Sequence, residues 1–133
     1  MTTVYHGTTT WHMNKLVSGD FTAQLGLYVT ESFALAARYA NSQADRAVHA
    51  ETHLWRRCAV VVEIETDEAV RWQRRSADHA TLDVCEALIR RGRVVALAIV
   101  APDRLSYQEQ RNIEQVRALL PEARITVVEP AER

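Results

Sequence analysis

The chain has 133 residues, a formal net charge of −1 at pH 7 and a sequence pI of about 6.5. This near-neutral charge excludes a general electrostatic attraction to nucleic acid or to a membrane surface, and the length fits one domain. Apolar residues make up 47% of the chain and charged residues 25%, which is typical of a globular protein with its own core. We therefore expect residues 1–133 to form a single domain.

The spacing of cysteine and histidine argues against a disulfide framework or a metal site. Cys58 and Cys85 form no CxxC pair, and His49 and His53 lie four apart without a third clustered ligand. The sequence carries neither a recognisable signal peptide nor an apolar run of membrane-spanning length. We therefore expect a cytoplasmic protein with reduced thiols, no metal and no membrane partner.

Three short elements are predicted in the first part of the chain. Residues 2–6 alternate and are rich in β-forming side chains, so they predict a strand that ends at His6. Residues 9–18 predict a short helix, and residues 25–29 predict a second strand. His6 and Tyr28 would then stand at two strand ends, where they can face one cleft.

A helix is predicted from residue 31 to about residue 45, with Thr30 as its N-cap. Its apolar stripe consists mainly of small side chains, which allow a close approach to a sheet. The stripe contains Phe33, Ala36, Ala37 and Ala40. The same helix carries Tyr39.

The middle of the chain predicts two buried strands with a helix between them. Residues 58–64 and 94–100 are nearly continuous apolar runs, which indicate strands buried on both faces. Residues 77–91 have a helical period and precede Gly92, so they predict a helix. Residues 70–72 predict a short edge strand.

The last third of the chain allows two interpretations. Residues 105–120 contain apolar side chains at helical spacing, but a strand across residues 107–113 is an alternative. Arg124–Val128 predicts the final strand. Together the predicted elements give a mixed α+β domain with about five strands and three or four helices.

Two motifs follow one another in an order that resembles a known family. The first is Tyr5-His6-Gly7-Thr8 at the end of a strand, and the second is Gly26-Leu27-Tyr28-Val29-Thr30 before a helix that carries Tyr39. This combination looks like the H-Y-E branch of the ADP-ribosyltransferases, which are the poly(ADP-ribose)-polymerase-like or diphtheria-toxin-like enzymes. The resemblance covers residues 3–42.

The resemblance implies a fold and an activity. The fold would be a split antiparallel β-sheet core flanked by helices, with NAD in the cleft between the two halves. The activity would be transfer of ADP-ribose from NAD to a macromolecular acceptor, protein or nucleic acid, with release of nicotinamide. A bare catalytic core of this kind is similar to bacterial toxins and defence effectors, so an antitoxin protein is an expected partner.

The resemblance also gives each motif residue a role that its chemistry fits. Tyr28 and Tyr39, eleven positions apart, would stack on the cationic nicotinamide ring for about 0.5–2 kcal/mol each. His6 would bind ribose hydroxyls through one ring nitrogen. Gly7 would contact the carboxamide with its backbone, because a residue without Cβ lets a ligand approach closely. Thr8 would add a hydroxyl nearby.

The family takes its catalytic carboxylate from a late part of the chain. Glu109 is the first candidate, because the stretch that it begins resembles the family's closing motif. Gln108 and Gln110 are alternatives if the register slips, and Glu129 is a further candidate. A carboxylate at this place would stabilise the positive charge that develops on the ribose as the nicotinamide bond breaks.

The chain departs from the family at one nicotinamide contact. The family usually has a serine three residues before its second tyrosine, and here that position is Ala36. Ser32 or Thr30 are candidates to replace the missing hydrogen bond.

Two other functions would use the same pocket. One is an NAD glycohydrolase with water as the acceptor, and the other is a non-catalytic module that binds NAD or ADP-ribose.

Overall fold

A computed structural model describes residues 1–9, 20–49, 58–76, 83–100 and 107–128. These residues form an α+β structure of one mixed sheet and two helices. The strands are β1 Thr2–Thr9, β2 Asp20–Thr30, β3 Ala59–Thr66, β4 Gln73–Ser76, β5 Asp83–Val100 and β6 Arg124–Val128. The helices are α1 Phe33–His49 and α2 Tyr107–Leu119. Within the described ranges, neither helix is long and apolar enough to cross a membrane.

The long strand β5 joins two parts of the sheet. Its first half pairs with β4 and β2, and its second half pairs with β3, all antiparallel. The change of partner falls at Arg93, which is paired with Asp20 of β2 and with Glu65 of β3. Strand β6 adds to the second half in parallel, so the sheet is mixed, whereas the resemblance implies an antiparallel sheet core.

Strands β1 and β2 meet at one point and then separate. Strand β1 pairs with β3 along its whole length, but its register with β2 consists of the pair Tyr5 and Thr30. Beyond that pair, β2 follows β5 instead. A gap therefore opens in the sheet beside His6 and Tyr28, which are the two residues predicted to stand at strand ends.

The core fills one face of the sheet, and α1 covers part of the other. Val60 and Val62 of β3 belong to the core cluster, together with Ile113 and Val116 of α2. Val61, which points to the opposite face, is also buried, and α1 packs against β1 and β3 there. Burial on both faces explains the continuous β-branched run, because each such side chain gains about 1.5–3 kcal/mol on leaving water.

Most of the predicted strands are confirmed, with longer bounds. The strands at residues 2–6, 25–29, 58–64 and 94–100 correspond to β1, β2, β3 and the second half of β5, and Arg124–Val128 is β6. The helical interpretation of residues 105–120 is confirmed by α2 within its described part. The helix at residues 9–18 lies outside the described residues, apart from Thr9 in β1. Residues 70–72 are not a strand, and β4 begins directly after them.

The helix predicted over residues 77–91 is wrong in its described part, because residues 83–91 belong to β5. Gly92, expected to end that helix, lies inside the strand opposite Phe21. Ala87 and Ile89 are buried while Leu88 between them is exposed, which is the alternation of a strand. Pairing with β2 and β4 thus overrides a local pattern that also suits a helix.

Helix α1 begins two residues later than expected for a Thr30 cap. Ser32 is the capping residue, since the backbone N–H of Leu35 donates to its Oγ at 3.4 Å. Thr30 is still part of β2 and donates its hydroxyl to the Ser32 carbonyl at 2.8 Å. The strand pairing of Thr30 therefore delays the helix start.

Candidate functional site

A cleft of about 470 Å³ lies where β1 and β2 separate. Its walls come from β1, β2, α1 and β5, and they include His6, Gly7, Tyr28, Tyr39 and Glu86. Three of these five residues belong to the two motifs singled out in the sequence, and Tyr39 lies on the helix that follows the second motif. The cleft is thus the place where the topology brings the N-terminal motifs together with the first half of β5.

His6 spans the gap between the two separating strands. Its Nδ1 lies 2.6 Å from the carbonyl oxygen of Tyr28, so the Nδ1–H donates and Nε2 of the neutral ring remains an acceptor. Burial lowers the pKa of His6 below its ordinary value of 6.5, and the hydrogen bond to Tyr28 opposes this shift in part. His6 is therefore neutral at pH 7, with an acceptor nitrogen available for a hydroxyl.

Tyr28 and Tyr39 present accessible rings to the same cleft. Tyr28 of β2 is 55% exposed and Tyr39 of α1 is 42% exposed, although both line a concave site. Within the described ranges, neither ring stacks on another aromatic side chain. Two unoccupied π-faces in one cleft suit a planar, electron-poor ligand.

Gly7 fixes α1 against β1. A Cβ at this position would overlap the carbonyl oxygen of Ala36 and lie 2.8 Å from the backbone nitrogen of Ala40. The space that a side chain would fill is thus taken by the helix backbone, which is a different use from the close ligand approach expected from the sequence. Because Tyr39 lies between these two alanines, the same contact sets its place at the cleft.

Glu86 is the carboxylate that the described lining of the cleft contains. It lies on β5 opposite Thr30 of β2, and the next pair on the same face joins Leu88 to Tyr28. Glu86 is 9% exposed, so its charge sits in a partly desolvated place at the cleft wall. The sequence interpretation missed this residue because it assigned residues 77–91 to a helix.

A signal for Glu86 was nevertheless present in the sequence. Glu86, Leu88 and Arg90 alternate with Ala87 and Ile89, and such alternation over four to eight residues is the mark of a half-buried strand. The helical period of residues 77–91 covers the same positions and favours a helix. An interpretation as a strand puts Glu86 on the same face as the exposed Leu88.

Glu109 lies elsewhere in the structure, on α2. It is 2% exposed, and the Cys58 thiol donates to its Oε2 at 2.6 Å. Glu109 does not belong to the described lining of the cleft. It connects α2 to the residue that precedes β3.

The remaining predicted residues are distributed as follows. Thr8 is buried on β1 and is absent from the described cleft lining. Gln110 is exposed on α2, and the Gln108 side chain and Glu129 lie outside what the structure describes. Thr30, one of the candidate replacements for the missing serine, does line the cleft.

A bulge in β2 shapes one end of the cleft. The register with β5 breaks between Thr22 and Leu27, and Gly26 in this interval has a φ of 88°. Such a left-handed conformation strains residues with a Cβ, so glycine is required here. A Cβ on Gly26 would also come within 3.1 Å of Leu88 Cδ2. The bulge therefore brings the β2 backbone at Gly26 close to the Leu88 side chain of β5.

In the part of the chain that the structure describes, no group of three or more histidine, cysteine, aspartate or glutamate side chains could hold a metal ion. Comparison with known proteins adds no further identification. No family model matches the chain, and no match is found among curated proteins or solved structures.

Proposed function

We propose that the protein transfers ADP-ribose from NAD to a macromolecular acceptor and releases nicotinamide. The observation that carries this proposal is the meeting of His6, Tyr28, Tyr39 and Glu86 in one cleft. Each of these side chains suits a different part of NAD, and they come from four separate elements. The toxin role and an antitoxin partner stay predictions of the resemblance.

The aromatic pair supplies the nicotinamide site in this proposal. The pyridinium ring lies between the Tyr28 and Tyr39 rings, whose exposed faces attract a planar cation. The backbone of Gly7 serves the carboxamide, because Gly7 lines the cleft beside α1. Thr30 is the candidate for the hydrogen bond that Ala36 cannot make.

His6 supports ribose binding through its protonation state. The Tyr28 carbonyl holds the proton on Nδ1, and the lowered pKa keeps the ring neutral at pH 7. Nε2 is therefore an acceptor for a ribose hydroxyl rather than a second donor. The hydrogen bond also fixes the plane of the imidazole ring, so Nε2 already has its orientation before NAD binds.

Glu86 takes the role of the catalytic carboxylate in place of Glu109. When the bond from ribose C1′ to the nicotinamide nitrogen breaks, its electron pair leaves with neutral nicotinamide and positive charge develops on the ribose. A carboxylate at the cleft wall stabilises that charge and receives the proton that the acceptor loses as it bonds to C1′. The position of Glu86 in the cleft also favours an enzyme over a non-catalytic binding module.

The organisation of β5 supports an ADP-ribosyltransferase fold as part of this proposal. The strand divides at Arg93 into a half paired with β2 and β4 and a half paired with β3. The cleft opens on the border between these parts, which is where the resemblance expects NAD. The parallel β6 is an addition to the antiparallel arrangement that the resemblance implies.

Incubation of the protein with NAD, followed by measurement of nicotinamide and ADP-ribose, tests the proposal. We expect nicotinamide release in the presence of a cell extract, with ADP-ribose label on a macromolecule. Release of nicotinamide with only free ADP-ribose would identify an NAD glycohydrolase that uses the same pocket. Absence of nicotinamide under all these conditions would contradict both enzymatic functions.

A further inference from the structure

The two edges of β2 lead to different sides of the cleft. Strand β1 meets β2 on one edge through Tyr5 and Thr30, and β5 pairs along the other. His6 of β1, and the helix α1 that packs on β1, therefore stand on one side of Tyr28. The β5 residues that follow Glu86 stand on the opposite side of Tyr28, away from His6 and Tyr39.

Three residues form a row on the cleft side of β5. Glu86 faces Thr30 and Leu88 faces Tyr28, so Glu86 and Leu88 share a face, and Arg90 follows at the next position of that face. We call Glu86, Leu88 and Arg90 the β5 row. It begins at Glu86 in the cleft wall and runs outward along the strand.

The β5 row combines an exposed apolar side chain with an unpaired cation. Leu88 is 48% exposed next to the exposed ring of Tyr28. Arg90 is exposed, and its guanidinium forms no ion pair with the described residues. Glu68, which lies beside it, uses Oε2 to accept the backbone N–H groups of Arg90 and Arg91 at 2.7 and 3.2 Å.

The neighbouring arginines behave differently, which makes Arg90 distinct. Arg91 pairs with Asp67 at 3.0 Å, and Arg93 pairs with Glu65 at 3.5 Å. These two arginines are occupied by acidic partners on adjacent segments. Among Arg90, Arg91 and Arg93, Arg90 is the one whose guanidinium forms no ion pair with the described residues, so it can bind an external anion.

We propose that the β5 row binds the acceptor and that the acceptor is a single-stranded nucleic acid. This inference rests on the proposed function of the cleft. Arg90 binds a phosphate with its planar fork, and Leu88 supports a base or sugar face between that phosphate and Glu86. Single-strand sites combine cations that follow the phosphates with side chains against which the bases pack, and here Arg90 supplies the cation while Leu88 supplies aliphatic surface beside the exposed ring of Tyr28.

The dimensions of the row agree with a nucleotide. Glu86 and Arg90 are four residues apart, which is about 13 Å along an extended strand. A nucleotide with its phosphate at Arg90 thus extends over Leu88 toward the reacting carbon. An acidic peptide also offers an anion to Arg90, but a nucleotide carries an anion and an apolar base face together in every unit of the chain. The acceptor's hydroxyl oxygen or ring N–H nitrogen forms the new bond to C1′ and gives its proton to Glu86, while nicotinamide leaves with the electron pair of the broken C1′–N bond.

The inference is tested first by binding, without any chemistry. A fluorescently labelled single-stranded oligonucleotide is titrated with the full chain, and anisotropy is measured for wild type, Arg90→Gln, Arg90→Lys and the control Arg91→Gln. We expect Arg90→Gln to weaken binding by about tenfold, since a charged hydrogen bond is lost. It should also reduce the salt slope of log K by about 0.7. Arg90→Lys should keep most of the slope, and Arg91→Gln should resemble wild type.

The second measurement concerns the partition of ADP-ribose between acceptor and water. With wild type, NAD and the oligonucleotide, we expect labelled oligonucleotide; in Arg90→Gln the ratio of labelled oligonucleotide to free ADP-ribose should fall. An unchanged ratio, or label on acidic peptides but not on the oligonucleotide, would overturn the inference. If wild type releases no nicotinamide yet binds the oligonucleotide through Arg90, the proposed enzymatic function fails while the binding surface stands. If Arg90→Gln and Arg91→Gln bind alike, the surface is wrong whatever the enzymatic result.

Discussion

The imidazole of His6 is hydrogen-bonded to the backbone carbonyl of Tyr28 at 2.6 Å, across the gap where β1 and β2 have ceased to pair. A side chain thus replaces the strand pairing at the point where the cleft begins. The bond fixes the orientation of the ring that we assign to ribose binding. Protonation of His6 should therefore change both the free energy of unfolding and the binding of the ribose.

The lowered pKa of His6 predicts a loss of stability in weak acid. Because the folded pKa lies below the unfolded value of 6.5, the unfolded chain binds more protons between the two values. The free energy of unfolding should therefore fall as the pH drops below about 6.5 and toward the folded pKa. Urea unfolding of wild type and His6→Asn between pH 7.5 and pH 5 measures this contribution.

His6→Asn is the matched variant because its amide does not titrate and can still donate toward the Tyr28 carbonyl. The difference in unfolding free energy between the two proteins should shift in favour of the variant as the pH falls. Parallel curves for wild type and variant would mean that burial of His6 does not control this part of the pH profile.

Loss of either tyrosine ring should weaken NAD binding. Tyr28→Ala and Tyr39→Ala each remove one π-face of the proposed nicotinamide site, worth about 0.5–2 kcal/mol. We expect the Kd for NAD, measured by calorimetry, to rise by about 2- to 30-fold for each. Tyr28→Phe and Tyr39→Phe keep the rings and should stay close to wild type. Equal effects of alanine and phenylalanine would contradict stacking.

Glu86→Gln should separate catalysis from binding. The variant keeps size and hydrogen-bonding capacity but removes the charge, so we expect nicotinamide release to fall by about 100-fold or more. The Kd for NAD should change little. Single-turnover measurement of nicotinamide release, with NAD at saturation, gives the rate directly.

Glu109→Ala is the comparison for Glu86→Gln. The substitution removes the carboxylate that accepts the hydrogen bond of the buried Cys58 thiol. We expect this loss to cost about 1–3 kcal/mol of unfolding free energy. Turnover per folded molecule should remain near that of wild type. If Glu109→Ala abolishes turnover in folded protein while Glu86→Gln does not, the assignment of the carboxylate must be reversed.

Gly7→Ala should destabilise the protein through α1. The added methyl group meets the Ala36 carbonyl oxygen, and a backbone neighbour cannot move as a flexible side chain would. We expect a loss of about 1–3 kcal/mol in thermal or urea unfolding, with weaker NAD binding because Tyr39 shifts. Ala34→Ser, at an exposed position of the same helix, is the control. A fully stable Gly7→Ala protein would show that α1 can move away from β1 without loss.

The N-terminal half of the site could be predicted because its signals are local. Short motifs identify the two strands and the helix that carry His6, Tyr28 and Tyr39, and the structure brings all three to one cleft, although β1 continues beyond His6 to Thr9. Glu86 could not be placed in the same way, because its strand is defined by pairing with β2 and β4. Strand β2 is distant in sequence, and the local pattern of residues 77–91 also allows a helix.

The carboxylate candidate Glu109 shows a different limit. Its selection followed the order of family motifs along the chain, which carries no information about burial. In the structure it accepts a hydrogen bond from a cysteine 51 positions away, a contact that spacing alone does not reveal. Likewise, the sequence interpretation assigned the missing Cβ of Gly7 to the close approach of a ligand, whereas in the structure the backbone of α1 occupies that space.

Helix α1 packs so closely on Gly7 that the helix is fixed to β1. Tyr39 and His6 therefore keep their places relative to each other, while Tyr28 and Glu86 lie on the paired strands β2 and β5. Strand β3 links the two pairs, since it pairs with both β1 and β5, and the hydrogen bond from His6 to Tyr28 ties β1 to β2 directly at the cleft. Moving β1 away from β2 at the cleft would therefore break this hydrogen bond.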